Sequence, residues 1–350
     1  MDNFKTKYMR GINLGGWISQ YRKDLKAGDP HFETFVTQKD IGQLAEWGLD
    51  HVRLPVDYMI FESDDHPGSY GEAGLAYIDK CIDWCKKYGL NLIIDLHHAP
   101  GFSFHTLDKN TLFTDEKMQQ RMLAIWVNFT KRYKGEGDNL AFELMNEIVE
   151  PDSSRWNSLA KKIVGQIRET SEKRIILIGG NNYNAASELK NIAIIEDDDH
   201  IVYNFHFYEP MLFTHQMAGW NKMNMDYGQK PLYPAIFPDI ANFTEKFPQY
   251  SYLKKFDGFY ADIECLEEYL KPVLEFADKN PGKLLYCGEY GAVDTADAKS
   301  RVNWHRDFNA LMDAYNIGRA VWSYKGMSFR FAEHDGSVHS RELTDIIGGR

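Results

Sequence analysis

Short apolar runs recur along the chain at Gly11–Trp17, His51–Pro55, Asn91–Leu96, Leu140–Met145, Arg174–Ile178, Ile201–Phe205, Leu284–Cys287 and Ala320–Trp322. They are rich in Ile, Val, Leu and Tyr. They run on continuously rather than alternating with polar residues, as parallel strands covered on both faces do. Helical patterns lie between them. Lys39–Glu46 precedes the second run. Leu75–Tyr88 precedes the third, with Leu75, Ile78, Ile82 and Cys85 at helical spacing. Glu116–Tyr133, Ser154–Glu169 and Val302–Tyr315 repeat the pattern. Eight strands alternating with helices predict an α/β protein of the (β/α)8 TIM-barrel type. A doubly wound sheet is the second choice, but no glycine-rich phosphate loop follows the first run.

One connection breaks the rhythm. Most strands start about 25 to 50 residues apart, within the size of a barrel unit. The sixth and seventh runs, at Ile201 and Leu284, are much further apart. The excess carries Pro210, Pro231, Pro234, Pro238 and Pro248 among Trp220, Tyr227, Tyr233 and Phe237. So aromatic a segment is not a disordered linker. The expectation is one catalytic barrel domain over residues 1–350, with residues 209–260 inserted between strands 6 and 7 as a subdomain or lid. The insertion leaves the strand end that faces the mouth of a barrel.

Composition narrows the function classes. The chain of 350 residues is 43% hydrophobic and 26% charged, which permits a full core. A net charge of −11 with no basic cluster argues against nucleic acid as a partner. No run is long enough to span a membrane, and the N-terminus lacks an apolar signal core. That leaves a cytoplasmic protein, or a secreted one whose leader has been removed. Cys81, Cys85, Cys265 and Cys287 show no metal-type spacing and read as buried free thiols. Aromatic residues make up 14%, including 8 Trp and 20 Tyr. Flat rings stack on sugars, and they also fill cores.

The residues able to do chemistry follow the strands. They are Arg53, then His97 and His98, then Asn146 and Glu147, then His206 and Tyr208, then Glu289 and finally Trp322. In a barrel they meet around one mouth. Two carboxylates at the ends of distant strands suit glycoside cleavage, one donating a proton and the other attacking the anomeric carbon. Plainer readings exist for each. A lone Glu after a strand is usually a surface or capping residue, Arg53 could bridge strands, and His97 and His98 could be core histidines. The histidines with Glu289 could also bind a metal, but His-x-His and His-Glu-x-x-His spacings are absent, so no metal is expected. Trp17 reads as core or as a prop. Trp220 either packs inside the insertion or reaches over the cleft.

The ordered set Arg53, His97, Asn146-Glu147, His206-x-Tyr208, Glu289 and Trp322 resembles glycoside hydrolase family 5. The strings Gly11-Ile-Asn-Leu-Gly-Gly-Trp17, Glu150-Pro-Asp-Ser and Gly180-Asn-Asn-Tyr resemble endoglucanases of anaerobic bacteria within it. The resemblance covers essentially the whole chain. It implies a hydrolase of the cellulase type acting on β-linked glucans, with Glu147 as acid/base and Glu289 as nucleophile. It implies no cofactor. Arg53 and Tyr208 are expected to favour the charged form of Glu289, and the carboxyl groups to lie about 5–5.5 Å apart. Asn146 is expected to bind the sugar 2-hydroxyl, His206 to orient Glu147 or the leaving side, and Trp322 to floor the cleavage subsite. The expected protein is a monomeric retaining endo-β-1,4-glucanase. A β-mannanase or glucomannanase, an exo-β-1,3-glucanase, and a carbohydrate-binding barrel without catalysis are the alternatives.

Overall fold

A computed structural model describes residues 2–350, with side chains from residue 4 onward. Eight parallel strands close into a barrel in sequence order. They are β1 (Arg10–Asn13), β2 (His51–Asp57), β3 (Asn91–His98), β4 (Leu140–Glu143), β5 (Ile175–Gly179), β6 (Ile201–Phe207), β7 (Leu284–Tyr290) and β8 (Gly318–Val321). Closure through the β1–β8 and β1–β2 pairs rules out the doubly wound sheet. The chain therefore has the (β/α)8 architecture expected.

The barrel is sheathed by α1 (Gln38–Glu46), α2 (Glu72–Tyr88), α3 (Glu116–Arg132), α4 (Ser153–Arg168), α5 (Ile263–Lys279) and α6 (Ala298–Ala314). Their starts carry the expected chemistry. Asp115, Asp152, Asp262 and Asp297 each accept a hydrogen bond from a first-turn amide. Thr37 and Asp40 form a reciprocal capping box on α1. The helix α5 has no counterpart in the sequence reading. It follows the aromatic segment and contains Pro272, which interrupts a simple helical pattern.

The strands sort their side chains by parity. Val52, Leu54 and Val56 of β2, Leu92, Ile94 and Leu96 of β3, and Leu140 and Phe142 of β4 join the large core shared with the helices. The residues between them face the barrel interior. At the N-terminal end that interior is plugged by Ile93, Ala141, Leu177, Val202, Tyr286 and Ala320, with Phe4 and Tyr8 closing the base. Further along the same inward rows the residues become polar: Asn13, Arg53, Asp95, His97, Glu143, Asn204 and His206 are all buried. Apolar plug and polar mouth thus lie on the same strand faces.

Residues 208–262 connect β6 to α5. They form short helices at Met211–Thr214, Lys222–Tyr227 and Ile240–Lys246, a 3-10 stretch at Pro248–Phe256, and an antiparallel pair, Ala235–Ile236 with Tyr260–Ala261. Tyr227, Tyr233, Phe237, Ile240, Phe243, Leu253 and Phe256 are buried here, and they belong to the same continuous core as the barrel. The Tyr233 hydroxyl donates to Asp307 of α6 at 2.9 Å, tying the segment to the sheath. Trp17 is fully buried, its indole N–H donating to the Phe32 carbonyl, so it is core. The four cysteines are free and buried.

Arg174 shows how the turn before β4 is held. Its guanidinium donates to the carbonyls of Tyr133, Glu136, Gly137 and Leu140 at 2.7–2.9 Å and lies over the Phe142 ring. Arg174→Met should leave these acceptors short of donors and cost about 3 kcal/mol of folding stability. Chemical denaturation should show that loss, with activity per folded molecule unchanged because the residue is at the far end from the mouth. Unaltered stability would mean that water replaces the guanidinium freely.

Candidate active site

The polar mouth is organised around one guanidinium. Arg53 is fully buried inside the barrel. Its Nε and one terminal nitrogen grip Glu143 bidentately, each at 2.7 Å. That terminal nitrogen also donates to Asn146 at 2.8 Å and lies 3.1 Å from Asp95. The other donates to Asn13 at 2.8 Å and to Glu289 at 2.9 Å. Strands β1, β2, β3, β4 and β7 are thereby cross-linked through one side chain. Asn204 of β6 completes the network by donating to Glu143 at 2.8 Å.

Glu289 reaches the mouth because β7 bulges. Cys287 pairs with Phe205, yet Glu289 pairs with His206, so one extra residue, Gly288, is inserted in β7. The Gly288 amide donates to Asn204, and its carbonyl accepts from Asn13. A Cβ there would sit 2.8 Å from the Asn204 amide, so only glycine fits. Glu289 then accepts from Arg53 on one oxygen and from the Tyr208 hydroxyl, at 2.8 Å, on the other.

Glu147 lies just past β4. Its side chain is 14% exposed, against 6% for Glu289. His206 Nδ1 is 3.1 Å from a Glu147 oxygen and 3.7 Å from Glu289. One carboxylate oxygen from each glutamate and a ring nitrogen of His206 all lie within 4.8 Å of one another. The two carboxyls therefore face one another across a gap that a single sugar carbon can bridge.

The electrostatics differ between the two carboxyls. Burial, and then the charge of Glu289, push Glu147 well above the usual carboxylate range. Burial also raises Glu289, to about 7, while Arg53 and the Tyr208 hydroxyl pull it down. Arg53 and Tyr208 thus favour the anion as expected, but burial outweighs them. Asp95 and Glu143 are likewise raised by burial to about 7, against the pull of Arg53. Three buried carboxyls share one guanidinium, with Glu147 just beyond them, and Glu147 is the most strongly raised of the four. Burial holds His206 and His97 well below the ordinary imidazole value, so both are neutral.

The remaining expected residues also converge. His97 Nδ1 is 2.7 Å from Asp95, and its ring stacks parallel to Trp322 with centroids 5.6 Å apart. Gly15 makes room for that indole, since a Cβ there would lie 2.9 Å from Trp322. His98 Nδ1 is 2.6 Å from Asp57, and its ring stacks on Phe104. Among the described residues, the Nε2 atoms of His97, His98 and His206 are buried without a protein partner, a capacity that sugar hydroxyls can fill. Trp220 is 62% exposed and stands against His215 and Phe329, both of which border Tyr208. Glu147, His206 and Glu289 could also present three ligand atoms to a metal ion. Arg53 already places positive charge against Glu289, which disfavours a second cation.

Sequence reasoning missed Asn13, Asp57, Asp95, Glu143 and Asn204. Their signal was parity. Asp95 lies two residues before His97, and Asn204 two before His206, on the same strand face.

The cellulase (glycosyl hydrolase family 5) family model matches residues 24–328. Endoglucanase C of Acetivibrio thermocellus is 50% identical over 345 residues, covering 99% of each chain. Cellodextrinase A of Ruminococcus flavefaciens is 37% identical, covering 89% of this chain and 84% of its own. The crystal structure of endoglucanase Cel5A from the hyperthermophilic Thermotoga maritima superposes with a TM-score of 0.78 at 23% identity, over 99% of this chain and 98% of that one. That likeness concerns the fold.

If the neighbouring charge helps to hold the proton on Glu147, Glu289→Gln should lower the pH at which Glu147 titrates. Removing a nearby negative charge stabilises the second anion. Glu147 should stay above the ordinary range, because burial is the larger cause. Carbon-13 NMR of labelled glutamate carboxyls reads the shift directly. An unmoved or raised titration would show that the two groups do not interact.

Proposed function

The chain belongs to glycosyl hydrolase family 5, the cellulase family, and from that premise we propose that it is a retaining endo-β-1,4-glucanase acting on cellulose-type and mixed-linkage β-glucans. Glu289 is the nucleophile and Glu147 the acid/base. The observation that carries this reading is the unequal support of two close carboxyls. Glu289 has a cation and a phenol on its two oxygens, whereas Glu147 has a neutral imidazole. The first is built to carry negative charge and the second to hold a proton.

The steps follow from that inequality. A Glu289 oxygen attacks the anomeric carbon while Glu147 gives its proton to the departing glycosidic oxygen. The ester formed on Glu289 no longer carries charge, so Glu147, now an anion, loses the main repulsion acting on it. It then takes a proton from water as that water attacks the same carbon, releasing Glu289. Asn146, fixed by Arg53 through its amide oxygen, offers its NH2 group to the sugar 2-hydroxyl. Trp322, braced by His97, floors the ring. Residues 209–260 act as a lid bordering the cleft, and Trp220 is its sugar-contacting ring. The substrate partner is a β-glucan polysaccharide or oligosaccharide.

Cellopentaose and mixed-linkage β-glucan should be cut internally, with the β-anomer appearing first by proton NMR. First release of the α-anomer would exclude double displacement. Glu289→Gln should nearly abolish turnover while sugar binding persists. Glu147→Gln should be milder on substrates with good leaving groups, and azide should partly restore its turnover. A Glu147→Gln enzyme as active as wild type on cellodextrins would overturn the assignment.

The lid has its own test. A ring stacked on sugar contributes on the order of 1 kcal/mol. Trp220→Ala should therefore raise KM for long oligosaccharides more than for short aryl glycosides. A folded variant with unchanged kinetics on both would make Trp220 a surface ring with no role in binding.

A further inference from the structure

The loops after β6, β7 and β8 are laced together behind Tyr208. The Thr214 hydroxyl donates to the Tyr208 carbonyl. The Val293 amide donates to the Thr214 carbonyl at 2.9 Å, and the Asp294 amide to the Ser328 carbonyl at 2.8 Å. Gly291 brings the loop after β7 against the Trp322 carbonyl, where a Cβ would lie 2.7 Å from the oxygen. The loop after β8 then presents Phe329. Its ring packs on Tyr208 with centroids 5.6 Å apart and on His215 at 5.2 Å. The Tyr208 hydroxyl donates to Glu289, so its position depends on where Phe329 stands.

One buried side chain of α6 ties two of these loops together. Arg301 is 3% exposed. Its Nε donates to the Ala292 carbonyl at 3.1 Å, and one terminal nitrogen donates to the carbonyls of Phe329 and Arg330 at 2.7 and 2.9 Å. The guanidinium lies over the Phe331 ring, 4.9 Å from its centroid. Among the described residues no carboxylate forms an ion pair with it, and Asp294 pairs with Arg330 instead, at 3.2 Å. Burial pushes Arg301 down to about 10, against the pull of Asp294. A cation buried on neutral carbonyls is costly to keep. An apolar side chain would fill the space without that cost, but it could not hold three carbonyls in place.

We propose that Arg301 is a positioning residue for the nucleophile: it fixes the Phe329 turn against Tyr208, and so fixes the hydroxyl that supports the anion of Glu289. The proposal rests on the roles assigned to Glu147 and Glu289. Without the guanidinium, the carbonyls of Ala292, Phe329 and Arg330 turn towards water and Phe329 leaves Tyr208. The titratable and charged groups facing Glu289 are Arg53 from β2, Asp95 from β3, Glu147 past β4, and His206 and Tyr208 from β6 and its end. Of these, Tyr208 is the one that Arg301 reaches.

The test compares Arg301→Met, Arg301→Lys, Phe329→Ala and Tyr208→Phe on a soluble aryl β-cellobioside, with each rate scaled to the folded fraction. The acid limb of kcat/KM follows ionisation of the nucleophile in the free enzyme. The Tyr208 hydroxyl lowers the pKa of Glu289, so losing it raises that pKa and moves the acid limb to higher pH. Arg301→Met should move the limb the same way as Tyr208→Phe and lower kcat/KM at neutral pH roughly tenfold, the size of one hydrogen bond to a charged group. Phe329→Ala should shift the limb too, with the Arg301 contacts left in place. Arg301→Lys keeps the charge and a donor and should recover part of the loss. Adding Arg301→Met to Tyr208→Phe should cost less than about twofold more, because both remove one support. An Arg301→Met enzyme that is less stable but keeps the wild-type kcat/KM and acid limb overturns the proposal. So does a loss that multiplies in full with that of Tyr208→Phe. Should Arg301→Met not fold, an unmoved acid limb in Phe329→Ala overturns it. An unmoved limb in Tyr208→Phe would instead show that the role given to Glu289 fails, and the proposal with it.

Discussion

The mouth of this barrel depends on the charge imbalance around Arg53. Asp95, Glu143 and Glu289 all touch the guanidinium, and Glu147 lies just beyond. One positive charge cannot hold so crowded a set of carboxylates ionised. The surplus shows as carboxyls raised to about 7 or beyond. A buried ion pair is poor evidence of stability on its own, since removing charges from water is expensive. Its use here is that the excess acidity has to keep protons, and the carboxyl least supported by donors is Glu147. The hub that cross-links five strands therefore also carries the charge imbalance that the acid role proposed for Glu147 draws on.

The barrel can bear such a cluster because the two ends of its interior differ. Near the base the inward rows carry Ile93, Ala141, Leu177, Val202 and Tyr286, and these close-packed groups supply the burial that a domain of this size needs. Two residues along, the same rows carry Asp95, Glu143 and Asn204, beneath the mouth. Strand register itself is altered at the mouth, by the bulge at Gly288 and by the shift that pairs Asp57 with His98. Were Gly288 paired in regular register instead of bulged, it would take the inward position after Cys287 and Glu289 would face the helices.

Much of this was legible in the sequence, and what escaped has a common cause. The eight apolar runs were readable because strands buried on both faces are short, continuous and β-branched. Their ends were placed short at His98, Phe207 and Tyr290, because strands that run into a polar mouth stop looking apolar before they stop pairing. Glu147, Glu289, His206 and Tyr208 stood out as polar groups after apolar runs. Asp95 and Glu143 lay inside such runs and were absorbed into them, although their parity marks them as inward-facing. Helix α5 was lost behind the aromatic segment and Pro272. The register shift at Gly288 and the left-handed turn at Tyr183 are tertiary consequences, set by Asn204 and by Asn181 and Asn184 across loops. No local pattern announces them.

The supports of the two proposed catalytic carboxyls come from different parts of the chain. Glu289 leans on Tyr208, which packs against His215 and Phe329, and these in turn carry Trp220. That side is built from the β6–α5 connection and the loop after β8. Glu147 leans on His206 and sits beside the loops after β4 and β5, which are laced together by Asn181 and Tyr183. Common to both sides are the Arg53 network beneath and His206, which lies between the two carboxyls. Loop changes on one side can thus alter which sugars are held there without disturbing the opposite carboxyl, provided the buried network is kept. A barrel with separable walls over a shared charged floor can change its glucan preference while the chemistry stays the same.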